Sequence, residues 1–264
     1  MSSLDSETAI LVTGGSGKLG RELVKVYPKC LNPKHSEFDI TCETKVSKFI
    51  EERKPSLIIH TAALTGINQC ETNRELAWKT NYLGTMNLVK ACEKFSEDCY
   101  FVYISTACVF YGDRGNYSES DLPYPKNYYS LTKLLGESAV KSSSLEDWLI
   151  IRTNFVSREK WPYPSAFVDR FGTYLFADDL AEAIREVLEK RMKGTLHVCG
   201  EEKLSMFELA KITTPEVRPM TLKEYNGPPL TVDMSLVSER IKHFKLKRSH
   251  NTDSNFRSGF RIFH

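Results

Sequence analysis

The chain has 264 residues, with 36 basic and 34 acidic side chains and a formal net charge of +2. Charges this nearly balanced create no global field that would draw in a nucleic-acid polymer or an anionic membrane. The N-terminal stretch MSSLDSETAILVTGG has no basic segment followed by an apolar run, and no stretch approaches a membrane span, so a soluble cytoplasmic protein is expected. Seven cysteines (Cys30, Cys42, Cys70, Cys92, Cys99, Cys108 and Cys199) are scattered without a CxxC pair. That argues against a disulfide framework and a zinc site, and no metal is expected.

In chain order, AILVTGG (9–15) reads as a buried strand ending in glycines, and KLGRELVKVY after it has helical periodicity. SLIIHTAA (56–63), YFVYIST (100–106) and WLIIRTNFV (148–156) are further strands. A helix, LAWKTNYLGTMNLVKACEKF, lies between the first two of these. Strands alternating with helices of this length specify an α/β fold, a doubly wound parallel sheet with helices on both faces. From about Ser157 the pattern breaks into REKWPYPSAF, then resumes with a helix over DDLAEAIREVLEK and a strand over TLHVCG. Beyond about Glu201 the pattern predicts one weak helix, a turn at NGPPL, a helix near SLVSERIKHF and a basic polar tail. The domain reading is a dinucleotide-binding unit over 1–156 and about 174–200. A smaller substrate lobe would take about 157–173 and 201–264, with the tail at its end.

TGGSGKLG sets Gly14, Gly17 and Gly20 at three-residue intervals between the first strand and its helix. Glycines are needed there for a sharp turn, for backbone N–H groups to approach a pyrophosphate, and for close helix–strand packing. Gly14, Ser16, Gly17, Lys18, Leu19 and Gly20 are therefore the expected cofactor loop of a Rossmann-type site. An NAD site wants an acid about 20 residues on. That neighbourhood reads NPKHS, and Lys34 with His35 suits a 2′-phosphate, so NADP(H) is expected over NAD(H). The other reading makes Lys34 a solvated loop charge and gives the acidic part to Glu37.

YYSLTK (128–133) places Lys133 four residues after Tyr129, on one helical face, while Tyr128 has Thr132 at that distance. A tyrosine and lysine so placed are either a packing contact with a snorkelling amine or a proton-handling pair. The glycine loop, the strand ending in Thr106 and this pair, in the context ST..VF..G.....E.D.P.P..YY, together resemble an extended short-chain dehydrogenase/reductase. Within that superfamily the chain is similar to the dTDP-4-dehydrorhamnose reductases and their sugar-nucleotide-modifying relatives over roughly residues 9–200. The resemblance extends through FDIT, KPSLIIHTAALTGINQCE and LIIRTNF.

It implies an NADP(H)-dependent reductase of a nucleotide-linked 4-keto-6-deoxy hexose, an enzyme with a nucleotide-sugar substrate; oligomeric state is not legible in the sequence, and a symmetric homodimer is the default for any oligomer. It also implies that Tyr129 is the acid, that Lys133 lowers the pKa of that phenol and holds the nicotinamide ribose, and that Thr106 positions the carbonyl oxygen. Asp39 and Ile40 match family positions near the adenine, Ala62 and Ala63 match small residues beside the cofactor, and Asn81 matches a supporting helix asparagine. Thr65, Asn68, Thr153 and Asn154 fall on the substrate side, whereas His60 reads as a satisfied strand-end histidine.

Two departures from the family bear on the substrate. STACVF stands where the reductases usually read STDYVF, and puts Cys108 where GDP-L-fucose synthase and the plant-type epimerase/reductases carry an epimerising cysteine. Cys108 is thus either a small buried hydrophobe or the base of a bifunctional 3,5-epimerase/4-reductase, with Arg170 or Lys160 as its acid partner. The segment after Asn154 is short, and NGPPLTVD lacks the usual arginine of that later region. Trp161, Tyr163 and Arg170 are candidates to stack on or pair with the nucleotide diphosphate; the two aromatics are equally readable as lobe packing. A non-catalytic NADP-binding regulatory subunit on the same fold is the alternative from another class.

Overall fold

The computed structural model describes residues 9–248. The first four strands are β1 (Ile10–Thr13), β2 (Leu57–His60), β3 (Tyr100–Ile104) and β4 (Trp148–Arg152). Apart from Trp148 at the start of β4, every residue in them is buried, because helices cover both faces of the sheet. The helices between them are α1 (Lys18–Val26), α2 (Glu43–Arg53), α3 (Ile67–Thr72), α4 (Arg74–Ala77), α5 (Gly84–Phe95) and α6 (Tyr128–Lys141). The single helix expected before β3 is α4 and α5 joined by a π-helical turn, Trp78–Leu83.

Next come short strands β5 (Phe155–Val156), β6 (Ser165–Phe167), β7 (Phe171–Gly172) and β8 (Leu175–Phe176), then α7 (Ala177–Glu189) and β9 (Gly194–His197). The chain continues through β10 (Leu204–Ser205), α8 (Met206–Thr213), β11 (Arg218–Met220) and β12 (Asp233–Met234). The main sheet runs β1-β2-β3-β4-β9 and is parallel throughout. Small sheets β10-β7-β12, β11-β6 and β5-β8 lie outside it.

Alternation along the strands divides the core. Val12, Ile59, Val102 and Ile151 pack with Leu23 of α1 and Leu180 and Ile184 of α7. Leu11, Ile58, Phe101 and Ile150 face the other way, onto Val46 and Ile50 of α2 and Leu88 of α5. A third cluster joins Ala107–Phe110 to Tyr174, Phe176, Leu209 and Met234.

The helix expected near SLVSERIKHF does not form. Leu236 bridges Tyr117, Val237 N–H donates to the Tyr117 carbonyl at 2.9 Å, and Glu119 takes the Glu239 N–H at 3.0 Å and the Ser238 hydroxyl at 2.6 Å. These long-range partners hold the segment in isolated bridges and a bend and override its helical pattern. The tail beyond 248 lies outside the described residues. Among the described residues no helix is long and apolar enough to cross a membrane.

Candidate active site

After β1 the chain makes one bridge, Leu31 with Leu11, then crosses to the opposite side of β1 to form β2. The crevice beyond the carboxyl ends of β1 and β2 is thus a switch point, where doubly wound sheets hold ligands. A cavity of about 440 Å³ opens there, walled by the 13–17 turn, the Asn32–His35 turn and Thr61–Ala63. Gly14 has φ +70, and a Cβ on it would lie 2.7 Å from the Ala62 backbone, so this position requires glycine. A Cβ on Gly20 would lie 2.1 Å from the Gly14 carbonyl oxygen, which makes Gly20 the helix–strand packing glycine.

Several expected cofactor residues fall elsewhere. Leu19 is buried in the core, and Lys18 opens α1 outside the cavity wall. The Asp39 carboxylate accepts Thr41 N–H at 2.9 Å and the Thr41 hydroxyl at 2.8 Å, stabilising its own turn, while Ile40 and Thr41 line the cavity. Ser16, Gly17, Ala62 and Ala63 do line it. Lys34 and His35 are on the wall and no carboxylate is. Glu37 accepts the Lys34 N–H at 3.2 Å and closes that turn.

Thr106, Tyr129 and Lys133 come together at the carboxyl end of β3. Asn127 caps α6, accepting from Ser130 N–H at 2.9 Å, and so places Tyr129 in its first turn. The Thr106 Oγ1 accepts Cys108 N–H at 3.1 Å, and the same hydroxyl is near enough to the Tyr129 phenol to favour its ionised form. Burial pushes that phenol above its ordinary pKa, helped by Cys108 and opposed by the Thr106 hydroxyl. Lys133 Nζ donates to the Ile104 carbonyl at 2.8 Å and lies 4.1 Å from the Tyr103 ring centre. Burial pulls its pKa down to about 7, against the opposing charge of Glu137. The expectation that Lys133 would lower the tyrosine is therefore corrected: desolvation dominates both groups, and the phenol keeps its proton at neutral pH.

The π-turn brings Asn81 under this site. Its Oδ1 accepts Leu64 N–H at 2.7 Å and its Nδ2 donates to the Leu64 carbonyl at 2.9 Å and to Thr132 Oγ1 at 3.0 Å, tying the loop after β2 to α6. His60 bonds Thr13 Oγ1 at 2.7 Å and Thr85 Oγ1 at 3.0 Å, and burial lowers its pKa to about 3, so it is neutral.

On the substrate side the expected residues separate. Thr65 and Asn68 are exposed at the start of α3. The Thr153 hydroxyl is buried without a partner among the described residues. Asn154 is spent on structure, its Nδ2 donating to the Met234 carbonyl at 2.7 Å. That bond draws β12 over Cys108, whose thiol is buried 3.2 Å from the Met234 sulfur. Lys160 is not the partner of Cys108, because it pairs with Glu216 at 2.9 Å on the surface. Trp161 proves to be a packing residue: its indole N–H donates to the Ser165 carbonyl at 3.1 Å and its ring lies against Ala166, Ala210 and Val217. Tyr163 is 64% exposed, and Arg170 is buried.

Comparison with known proteins places this geometry. The model of the RmlD substrate binding domain family matches residues 8–229. The chain belongs to this family. Among curated relatives, methionine adenosyltransferase 2 subunit beta of Rattus norvegicus is 28% identical over 255 residues, covering 80% of this chain and 75% of the relative. A dTDP-4-dehydrorhamnose reductase of Aggregatibacter actinomycetemcomitans is 28% identical over 230 residues, 76% of each chain. Among solved structures, dTDP-4-dehydrorhamnose reductase from Bacillus anthracis in complex with NADP superposes with a TM-score of 0.80 at 26% identity, covering 88% of this chain and 91% of that one.

In this RmlD-family chain, sequence reasoning passed over Gly15, Asn32, Phe38 and Thr80 as cavity residues. Gly15 had a signal, since it lies inside the glycine loop. Asn32 and Phe38 open the NPKHS and FDIT stretches, where Lys34 and Asp39 carried the sequence signal, and Thr80 is brought in by the π-helical turn.

Proposed function

We propose that this chain is an NADP(H)-dependent reductase of the C4 keto group of a nucleotide-linked 4-keto-6-deoxy hexose. The observation that carries this reading is the Thr106–Tyr129 hydroxyl pair, with Lys133 one helical turn on, at the same carboxyl end of the parallel sheet as the glycine-floored cleft, whose wall none of the three forms. The cleft suits the cofactor: Gly14 and Ala62 leave room for a pyrophosphate, and Lys34 offers an ammonium and His35 a ring N–H, with no carboxylate on the wall to repel a 2′-phosphate. When bound, the cofactor supplies a hydride. The protein's part is the proton and the oxygen. Thr106 holds the carbonyl oxygen by its hydroxyl, Tyr129 stays protonated and donates to that oxygen, and Lys133 supplies a cation for the phenolate left behind.

The named reductase relatives support this substrate class. The Cys108 thiol faces the Met234 thioether, which is neither a base nor an acid partner, and this favours a simple reductase over a bifunctional epimerase. The test is NADPH consumption with dTDP- and UDP-4-keto-6-deoxyglucose, with and without an added 3,5-epimerase, and with Tyr129→Phe. Turnover that requires the epimerase, and falls at least about 100-fold in Tyr129→Phe with cofactor affinity retained, is expected. Turnover without it, to the epimerised product, would restore Cys108 as a base.

A second reading, a non-catalytic NADP-binding subunit of a larger assembly, is favoured by the likeness to a protein named as a methionine adenosyltransferase subunit. Cofactor binding without turnover of any nucleotide sugar would select it.

A further inference from the structure

Arg170, immediately before β7, is 7% exposed and holds no carboxylate among the described residues. Its Nε donates to the Thr231 carbonyl at 2.9 Å. Its two terminal nitrogens meet thioethers instead, Met206 and Met234, each at 3.2 Å. Sulfur is a weak acceptor, and a guanidinium stays charged at any working pH. Arg152 and Arg158, the other guanidiniums drawn into the fold, each grip carboxylates. The acids near Arg170 are already engaged: Asp169 accepts Leu222 N–H, and Asp233 pairs with Lys203. A buried fork with weak partners is a receptor for an anion from outside the chain.

Its surroundings say which anion. The Met234 sulfur that faces Arg170 also faces the Cys108 thiol, two residues past Thr106, so the guanidinium adjoins the reaction site. In the other direction Arg170 lies within electrostatic reach of Tyr225, as does Tyr163. Tyr225 stands edge-on to Phe167 at 5.6 Å, and Tyr163 stands edge-on to Trp161 at 6.0 Å with most of its surface exposed. The Tyr174 hydroxyl, buried with no hydrogen-bond partner among the described residues, is also in the field of Arg170. From Thr106 outward the order is hydroxyl, cation, aromatic face, which is the order of sugar, diphosphate and base in a nucleotide-linked hexose.

We propose that Arg170 receives the diphosphate of the substrate through its two terminal nitrogens, displacing the Met206 and Met234 thioethers, and that Tyr225 and Tyr163 form the face against which the base rests. The proposal rests on the reading of the substrate as nucleotide-linked. It replaces Trp161, held in packing, with Tyr225 as the aromatic partner.

The test is calorimetric titration of dTDP, UDP, GDP and inorganic pyrophosphate, with NADPH present to fill the cofactor cleft. The proteins are the wild type and the Arg170→Met, Arg170→Lys and Tyr225→Leu variants. The wild type should bind at least one nucleoside diphosphate. Arg170→Met should weaken it by about 10- to 100-fold at unchanged NADPH affinity, with Arg170→Lys intermediate. Tyr225→Leu should weaken the nucleoside diphosphate and leave pyrophosphate unchanged. Wild-type affinity in Arg170→Met overturns the proposal and leaves the reductase reading standing. Should that variant fail to hold NADPH, Arg170→Lys decides, and wild-type affinity there overturns the fork. A wild type that binds NADPH but no nucleoside diphosphate defeats the nucleotide-linked reading, and this proposal with it.

Discussion

Glu137 and Arg152 form a two-pronged ion pair inside the molecule, at 2.9 Å through Nε and 2.7 Å through Nη2, with neither side chain more than 2% exposed. Ser105 adds a hydroxyl bond to the same carboxylate at 2.6 Å. The pair fastens α6, which carries Tyr129 and Lys133, to β4 and to the end of β3 beside Thr106. Breaking a buried pair leaves a charge with no compensation. Glu137→Gln should therefore cost about 3–5 kcal/mol in urea unfolding, and Glu137→Gln with Arg152→Met should recover much of that loss. A single variant as stable as the wild type would show that the charge of Glu137 is dispensable.

Lys133 gives a prediction of opposite sign. Its folded pKa, about 7, lies below the ordinary 10.5, so between these values the unfolded chain holds a proton that the folded protein has released. Stability from this group therefore rises as pH climbs from 7 to 10.5, and below pH 7 the full cost of burying the ammonium applies. Lys133→Met should be more stabilising relative to the wild type at pH 6 than at pH 9.5, while abolishing turnover. Thermal melts at the two pH values check it; an equal difference at both would place the lysine's pKa in its ordinary range.

Much of this arrangement could be read from local pattern. The glycine spacing pointed to the turn because the need for glycine is local, at Gly14 and Gly20, and the Tyr129–Lys133 spacing pointed to one helical face. What escaped was set by distant contacts. Residues 235–244 have a helical pattern but are claimed by Tyr117 and Glu119. Trp161, readable from sequence equally as a ligand aromatic or as lobe packing, is fixed as packing by Ser165 and Ala210. The pairing of Glu137 with Arg152 joins residues from a helix and a strand, with no spacing rule to announce it.

His60 sets an acid limit. Burial lowers its pKa from 6.5 to about 3, so across that window the unfolded chain takes up a proton that the folded protein refuses. Stability is lost as pH falls from 6.5 toward 3, at up to about 1.4 kcal/mol per pH unit. His60→Asn keeps a polar group for Thr13 and Thr85 but has no such titration. Its unfolding free energy should fall less steeply than that of the wild type between pH 6.5 and 3.5, measured by urea titration at matched ionic strength. Parallel pH profiles would mean that other groups govern the acid limb.

Cofactor choice should turn on one side chain at the cleft wall. Lys34 and His35 line it, and the nearby acids are committed elsewhere, Glu37 to the Lys34 backbone and Asp39 to Thr41. A 2′-phosphate there would meet the exposed Lys34 ammonium, whereas an unphosphorylated ribose would gain nothing from it. Lys34→Glu should weaken NADPH by about tenfold or more, because it removes one attraction and adds one repulsion, and should leave NADH affinity equal or better. The NADPH effect should shrink as salt is raised, since the site is exposed. Fluorescence titration with both cofactors at low and high ionic strength reads all three expectations. An equal loss for NADPH and NADH would mean that Lys34 holds a part common to both, and would return the choice of cofactor to His35 or to the turn itself.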